Sequence, residues 1–177
     1  DMSIAAYGIA NRVQFIFVMV VLGLTQGMQP IIGFNYGARK FHRLKRAFWL
    51  SVAAGSAVTF LGAMGAQFFP EYIARAFTTD SDLIEKTAQA LRISTVAFWA
   101  VGFQIVSTNL FQSLGLAGKS IFLSLTRQIL FLLPLIYIFS SVLGLQGVWM
   151  AYATSDIVAT LVTTVMVIFQ MRKINKL

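Results

Sequence analysis

Asp156 is the only acidic residue that falls inside any of the chain's long apolar runs, and Arg127 lies within the run before it. At 1.5 Å of rise per residue, Asp156 sits about 14 Å along a helix starting at Gly147, and Arg127 about 10 Å along one starting at Ser120. In antiparallel neighbours those depths allow contact. Ionisable groups at such depth are costly in lipid and face the protein interior or a wet cavity. Two roles compete for this pair: a buried structural ion bridge, or a carboxylate that binds protons. A paired carboxylate keeps its charge and carries protons poorly near neutral pH, so a coupling role needs Asp156 desolvated and unpaired.

Amides supply the other polar groups. Gln104, Asn109 and Gln112 share one apolar run, and Gln128 follows Arg127. Gln29, Asn35 and Tyr36 belong to the stretch Gly23-Leu-Thr-Gln-Gly-Met-Gln-Pro-Ile-Ile-Gly-Phe-Asn-Tyr-Gly-Ala-Arg-Lys-Phe-His-Arg43. Amides inside membrane helices either contact ligand or hydrogen-bond across helices. Pro30 deprives the Gln26 carbonyl of its usual donor, so the stretch is expected to interrupt its helix. Gly23 and Gly27, like Gly33 and Gly37, stand four apart, a spacing that lets helix backbones approach. Without Cys, thiolate chemistry and disulfides are excluded, and the lone histidine, His42, stands in a basic connector. No nucleophile lies beside a base, and neither a metal-ligand cluster nor a phosphate-binding loop motif is present, so enzymatic activity has no support.

The elements that must hold these residues are membrane helices. The chain is 58% hydrophobic and 11% charged, with mean hydropathy +0.76, too apolar for a soluble domain. Five apolar stretches, at approximately 4–32, 47–69, 93–114, 120–139 and 147–169, each approach or exceed the ~20 residues that a bilayer requires. Their continuous hydrophobicity favours helices over alternating barrel strands. Nine basic residues share one side: Arg39, Lys40, Arg43, Lys45, Arg46, Lys119, Arg172, Lys173 and Lys176. The second connector carries Arg75, Lys86 and Arg92 beside Glu71, Asp80, Asp82 and Glu85. The positive-inside rule therefore places the basic connectors and the C-terminus in the cytoplasm. It also explains the net charge of +8 without nucleic acid, for which no basic helix or aromatic groove is present.

Five spans ending inside leave Asp1 outside without a signal peptide, which predicts a fragment preceded by at least one further helix. In the outer connector, Asp82 and Glu85 have capping-box spacing, which predicts a third helix starting outside the membrane near Leu83. Pro70 and the run Phe77–Asp80 are expected to end the second span. The uncharged connector Ser140–Gly147 is expected to form a short antiparallel hairpin.

Gly27-Met-Gln-Pro-Ile-Ile-Gly-Phe-Asn-Tyr-Gly-Ala38 resembles the signature in the second half of multidrug and toxic compound extrusion transporters, the MATE family. The resemblance continues at Phe111-Gln-Ser-Leu-Gly115, at Leu125-Thr-Arg-Gln128 before Pro134, and at Gly144-Leu-Gln-Gly-Val-Trp149 leading to Ser155-Asp156. It implies an all-α, polytopic transmembrane bundle whose five spans correspond to helices 8–12 of a twelve-helix transporter. Residues 1–177 would then form part of the C-terminal lobe, in a cell inner (plasma) membrane. The intact protein would be a secondary active antiporter exporting amphipathic cations against H+ or Na+, with no other cofactor, and its partners would be membrane lipid and the missing N-terminal lobe.

In many bacterial relatives a carboxylate on the first lobe's first helix is implicated in coupling, and no residue here can inherit that role. Alternating access needs both lobes. The substrate- or cation-binding candidates are Gln29, Asn35, Tyr36, Gln104, Asn109, Gln112, Arg127, Gln128 and Asp156. Three other readings are weaker. A lipid-linked-saccharide flippase would favour a more cationic cavity than Arg12 and Arg127 provide, and a non-transporting scaffold has no need of buried charges. A channel would show a repeated pore motif.

Overall fold

A computed structural model describes residues 2–176 of the chain, so the outer placement of Asp1 lies outside the described residues. The described chain is helical nearly throughout, without a strand. Helix α1 spans Met2–Gly37, α2 Phe41–Phe68 and the short α3 Pro70–Arg75. Helix α4 covers Ser81–Ser94; after a 3-10 turn at Phe98–Ala100, α5 covers Val101–Ser113. Helices α6 (Ala117–Gly144) and α7 (Gln146–Ile174) complete the bundle.

Four of these helices, α1, α2, α6 and α7, are long and apolar enough to cross a bilayer, and α4 with α5 makes a fifth span bent by 54°. The third helix, expected to start near Leu83 and to span 93–114, is thus a broken one. The break falls at Thr95-Val96-Ala97, where the Thr95 hydroxyl donates to the Leu91 carbonyl at 2.7 Å. A hydroxyl that bonds back to its own helix offers the backbone an alternative to the next turn.

Pro30 does not interrupt its helix: α1, 36 residues in all, continues through it to Gly37. The ring sits at an exposed position between the buried Met28 and Ile32, so its lost hydrogen bond and its crowding of the Gln26 carbonyl fall on the unpacked side and the packed face is untouched. The helix cap also differs from expectation. Asp80, not Asp82, caps α4, its Oδ1 accepting from the backbone N–H of Asp82 at 3.0 Å and of Leu83 at 3.3 Å. Asp82 sits instead in the first turn, where its charge complements the helix dipole. Pro70 does follow the end of α2, at the start of α3.

The short hairpin expected at Ser140–Gly147 forms, with helix running to Gly144 on one side and from Gln146 on the other. The backbone reverses at Gly144, whose φ of 59° and ψ of −133° suit only glycine. A Cβ on Gly147 would run into the Phe139 carbonyl, so the two helices touch just behind the turn. Close backbone approach elsewhere departs from expectation. A Cβ on Gly23, Gly27 or Gly37 would meet nothing within 4 Å, and one on Gly33 only the Ser113 carbonyl at 3.5 Å. The tight crossing is between α2 and α5, where a Cβ on Gly102 would collide with the backbone of Gly55.

The largest apolar cluster gathers Val21, Met28 and Ile32 of α1, Phe48 of α2, Leu110 and Phe111 of α5, Leu123 of α6 and Val167 of α7. It holds all five spans together at the end where the basic connectors lie. There Lys45 donates to Asn175, and Lys119 donates to the Gln170 side chain at 2.9 Å. At the opposite end, Lys86 of α4 contacts Met2 of α1.

Candidate functional site

Sequence places Arg127 in a helix, and the structure adds that this helix changes type there. Thr126–Leu132 forms a π-helical segment inside α6. Pro134 follows immediately and has no N–H to return to the Leu130 carbonyl, so the ladder ahead of it slips. Arg127 therefore emerges where the helix is locally wider. Its Nε donates to Oδ1 of Asp156 at 2.9 Å, the one ion pair among the described residues. Burial is unequal: the Asp156 side chain is 7% exposed and that of Arg127 36%.

Asp156 is held from behind by its own helix and by α5. Gln104, buried on α5, donates through Nε2 to the Asp156 carbonyl at 2.6 Å and to the Thr160 hydroxyl at 2.5 Å. The Thr160 hydroxyl donates to the same carbonyl at 2.6 Å. Three spans thus meet at one polar node. About one and a half helical turns along α5 from Gln104, a second bond ties it to α1: Gln29 Nε2 donates to Asn109 Oδ1 at 2.8 Å.

Between these two nodes lies a cavity of about 200 Å³, lined by Gln104, Thr108, Asn109, Ser124, Arg127 and Gln128, with Leu22, Ile105, Leu123 and Thr163 completing its wall. That volume matches about six waters at ~30 Å³ each and falls below the ~300 Å³ at which drug-sized pockets begin. Among the described residues its one charged lining residue is Arg127. As it stands, the cavity suits water or a small anionic group better than a cation.

Of the nine residues singled out in the sequence, six meet here: Gln29, Gln104, Asn109, Arg127, Gln128 and Asp156. Three do not. Asn35 is buried but donates to the Ile31 carbonyl of its own helix at 2.8 Å. Tyr36 packs edge-on against Phe41, with ring centroids 6.2 Å apart. Both lie near the connector end of α1, about 9 Å or more along the helix from Gln29. Gln112 is exposed, away from the cavity lining.

The structure adds residues that sequence reading missed. Thr160 completes the Asp156 node, and Thr108 and Ser124 line the cavity. Tyr7 and Tyr152 pair at 5.4 Å, one turn before Asp156, and Gln14 bonds Ser94 at 2.9 Å across α1 and α4. Hydroxyls and aromatics are too common in apolar helices to mark such positions by type alone.

The profile of the MatE family matches residues 1–138 of this chain. The chain is 28% identical over 149 residues to the multidrug export protein MepA of Staphylococcus aureus, covering 84% of this chain and 32% of MepA. It is 25% identical over 155 residues to the FAD transporter of Shewanella oneidensis, covering 88% of this chain and 34% of that protein. Among solved structures, the MATE multidrug transporter DinF-BH superposes with a TM-score of 0.86 at 34% identity, over 97% of this chain and 38% of DinF-BH. The chain spans about a third of the length of the curated relatives it matches.

Proposed function

This chain belongs to the MatE family of membrane transporters, and we propose that it forms part of the C-terminal lobe of a multidrug efflux antiporter exporting amphipathic cations in exchange for H+ or Na+. The relative MepA, named for multidrug export, and DinF-BH, a MATE multidrug transporter, support efflux as the activity. In this reading α1, α2, α4 with α5, α6 and α7 correspond to helices 8–12 of a twelve-helix protein. The chain's partners are a first lobe, bilayer lipid and the exported compound. The membrane is the inner (plasma) membrane, with the basic end and the C-terminus in the cytoplasm.

The observation that carries the ion-coupling part of the reading is the node of Asp156, Arg127 and Gln104 beside a polar cavity. Asp156 is desolvated but paired, so a coupling role requires it to release Arg127, the more exposed partner on the π segment, when it takes up the transported ion. The test uses the full-length protein in proteoliposomes, with an imposed H+ or Na+ gradient and a fluorescent lipophilic cation. Gradient-driven export is expected, and Asp156→Asn is expected to abolish its dependence on the gradient. Coupled export that survives Asp156→Asn rules out the coupling role.

One observation favours a second reading. Among the described residues Arg127 is the one charge lining the cavity, which suits an anionic group, and one relative is named as an FAD transporter. Running the same vesicles with a flavin nucleotide separates the two. Export of the flavin without the cation replaces the first reading with the second.

A further inference from the structure

A separate groove of about 700 Å³ lies at the basic end of the bundle, on the side where α2 and α7 diverge over α5. Its floor is Trp99, Ala100 and Phe103, and its walls include Trp49 of α2 and Ile168 of α7. The break in the third span creates the floor, because the 3-10 turn at Phe98–Ala100 leaves Trp99 54% exposed. The hydroxyls of Thr160 and Thr164 face no deficit, since each donates to a carbonyl of its own helix, at 2.6 and 2.7 Å. The groove therefore presents an apolar surface along most of its length.

Its mouth is different. Arg172 and Asn175 line the groove and also line the adjoining shelf with Lys173 and Lys176. Lys45 reaches across from α2 to bond Asn175, which adds another cation at the opening. From Asn175 to Thr160 the groove follows α7 for about 22 Å. Half of a ~30 Å hydrocarbon core is about 15 Å, so this length spans one leaflet and continues into the headgroup layer. Trp49, 52% exposed and about two turns into α2 from the basic connector, stands at the depth where tryptophans anchor to the interface, whereas Trp99 lies deeper, where Thr59 of α2 donates to its carbonyl.

We propose that this groove is a binding site for an anionic phospholipid of the surrounding bilayer, with an acyl chain along Trp99, Phe103 and Ile168 and the phosphate held by Arg172, Lys173 and Lys176. Charge complementarity selects this occupant: the rim offers three side-chain cations within five residues, and among the described residues no carboxylate side chain lines the groove or the shelf. A lipophilic cation would be repelled at the mouth, and a neutral lipid would leave the rim unanswered. The inner end of the groove reaches Thr160, which also belongs to the Asp156 node, so an occupied groove braces the α5–α7 contact from the lipid side.

The test is native mass spectrometry of the full-length protein, released from nanodiscs of phosphatidylglycerol mixed with phosphatidylcholine; no transport is required. One tightly retained phosphatidylglycerol per protein is expected. Each of Arg172→Gln and Lys173→Gln is expected to weaken its retention about fivefold. The comparison variant Arg43→Gln/Arg46→Gln removes two cations from the connector outside the groove and is expected to leave retention unchanged. Trp99→Ala, which shortens the floor without touching charge, is expected to lower retention of both lipids. Equal retention of the two lipids in the unaltered protein overturns the proposal. So does an Arg43/Arg46 variant that loses as much as the rim variants, because the attraction is then diffuse. Retention of a lipophilic cation in place of lipid, displaced by Trp99→Ala, also overturns it.

Discussion

Arg127 and Asp156 meet through one guanidinium nitrogen, and they are unequally protected from water. Removing Arg127 leaves a buried carboxylate without its counter-charge, whereas removing Asp156 leaves a half-exposed cation that water can reach. Arg127→Gln is therefore expected to cost about 3 kcal/mol and Asp156→Asn about 1 kcal/mol, with the double variant recovering most of the loss. Thermal unfolding of the full-length protein in detergent checks the order. If transport also returns in the double variant, the pair is structural; if only stability returns, the carboxylate has a further task. That these two residues lie at compatible depths was legible in the sequence, because helix rise fixes depth; that they touch was shown only by the structure. The Gln29–Asn109 and Gln104–Thr160 bonds were not legible either, since spacing along one helix says nothing about its rotation against another. Asn35 shows the same limit: an amide toward the connector end of its helix bonds its own backbone instead of the site.

Pro134 sets the π segment that aims Arg127, so Pro134→Ala is expected to restore the regular ladder through Thr126–Leu132. Removing one residue's worth of slip rotates the preceding helix by about 100° and carries Arg127 off Asp156. Transport is expected to fall to the level of the Arg127→Gln variant while the span stays inserted, as efflux and unfolding measurements on the same preparation would show. The α2–α5 crossing makes a complementary prediction. Gly102→Ala forces Cβ into the Gly55 backbone and is expected to destabilise by about 1–3 kcal/mol. Gly23→Ala, which meets nothing, is expected to be neutral or slightly stabilising in the same unfolding assay. The existence of five spans was readable from hydropathy alone. The break at Thr95-Val96-Ala97 was not, because no glycine or proline marks it. Conversely, Pro30 marks a break that does not occur, its exposed ring leaving the packed face intact.

At the scale of the molecule, the contacts of Lys45 with Asn175 and Lys119 with Gln170 gather the first connector, the third connector and the tail at one end. In the proposed orientation that end is the cytoplasmic one. This chain contributes no cysteine, so single substitutions at exposed positions can report sidedness. His42→Cys is expected to react in whole cells only with a membrane-permeable maleimide, and Thr79→Cys with an impermeant one as well. Reaction of both from the same side would reverse the assignment. The reversal at Gly144 bears on how such a bundle is made. With α6 and α7 joined by so little chain, the two helices can leave the translocon as one hairpin, and no charged connector has to be dragged across the lipid. Arg127 and Asp156, each costing about 3 kcal/mol if inserted alone, then enter the bilayer already neutralising one another. The glycine turn thus lets biosynthesis deliver both charges to the membrane as a single neutral unit, which neither helix could do by itself.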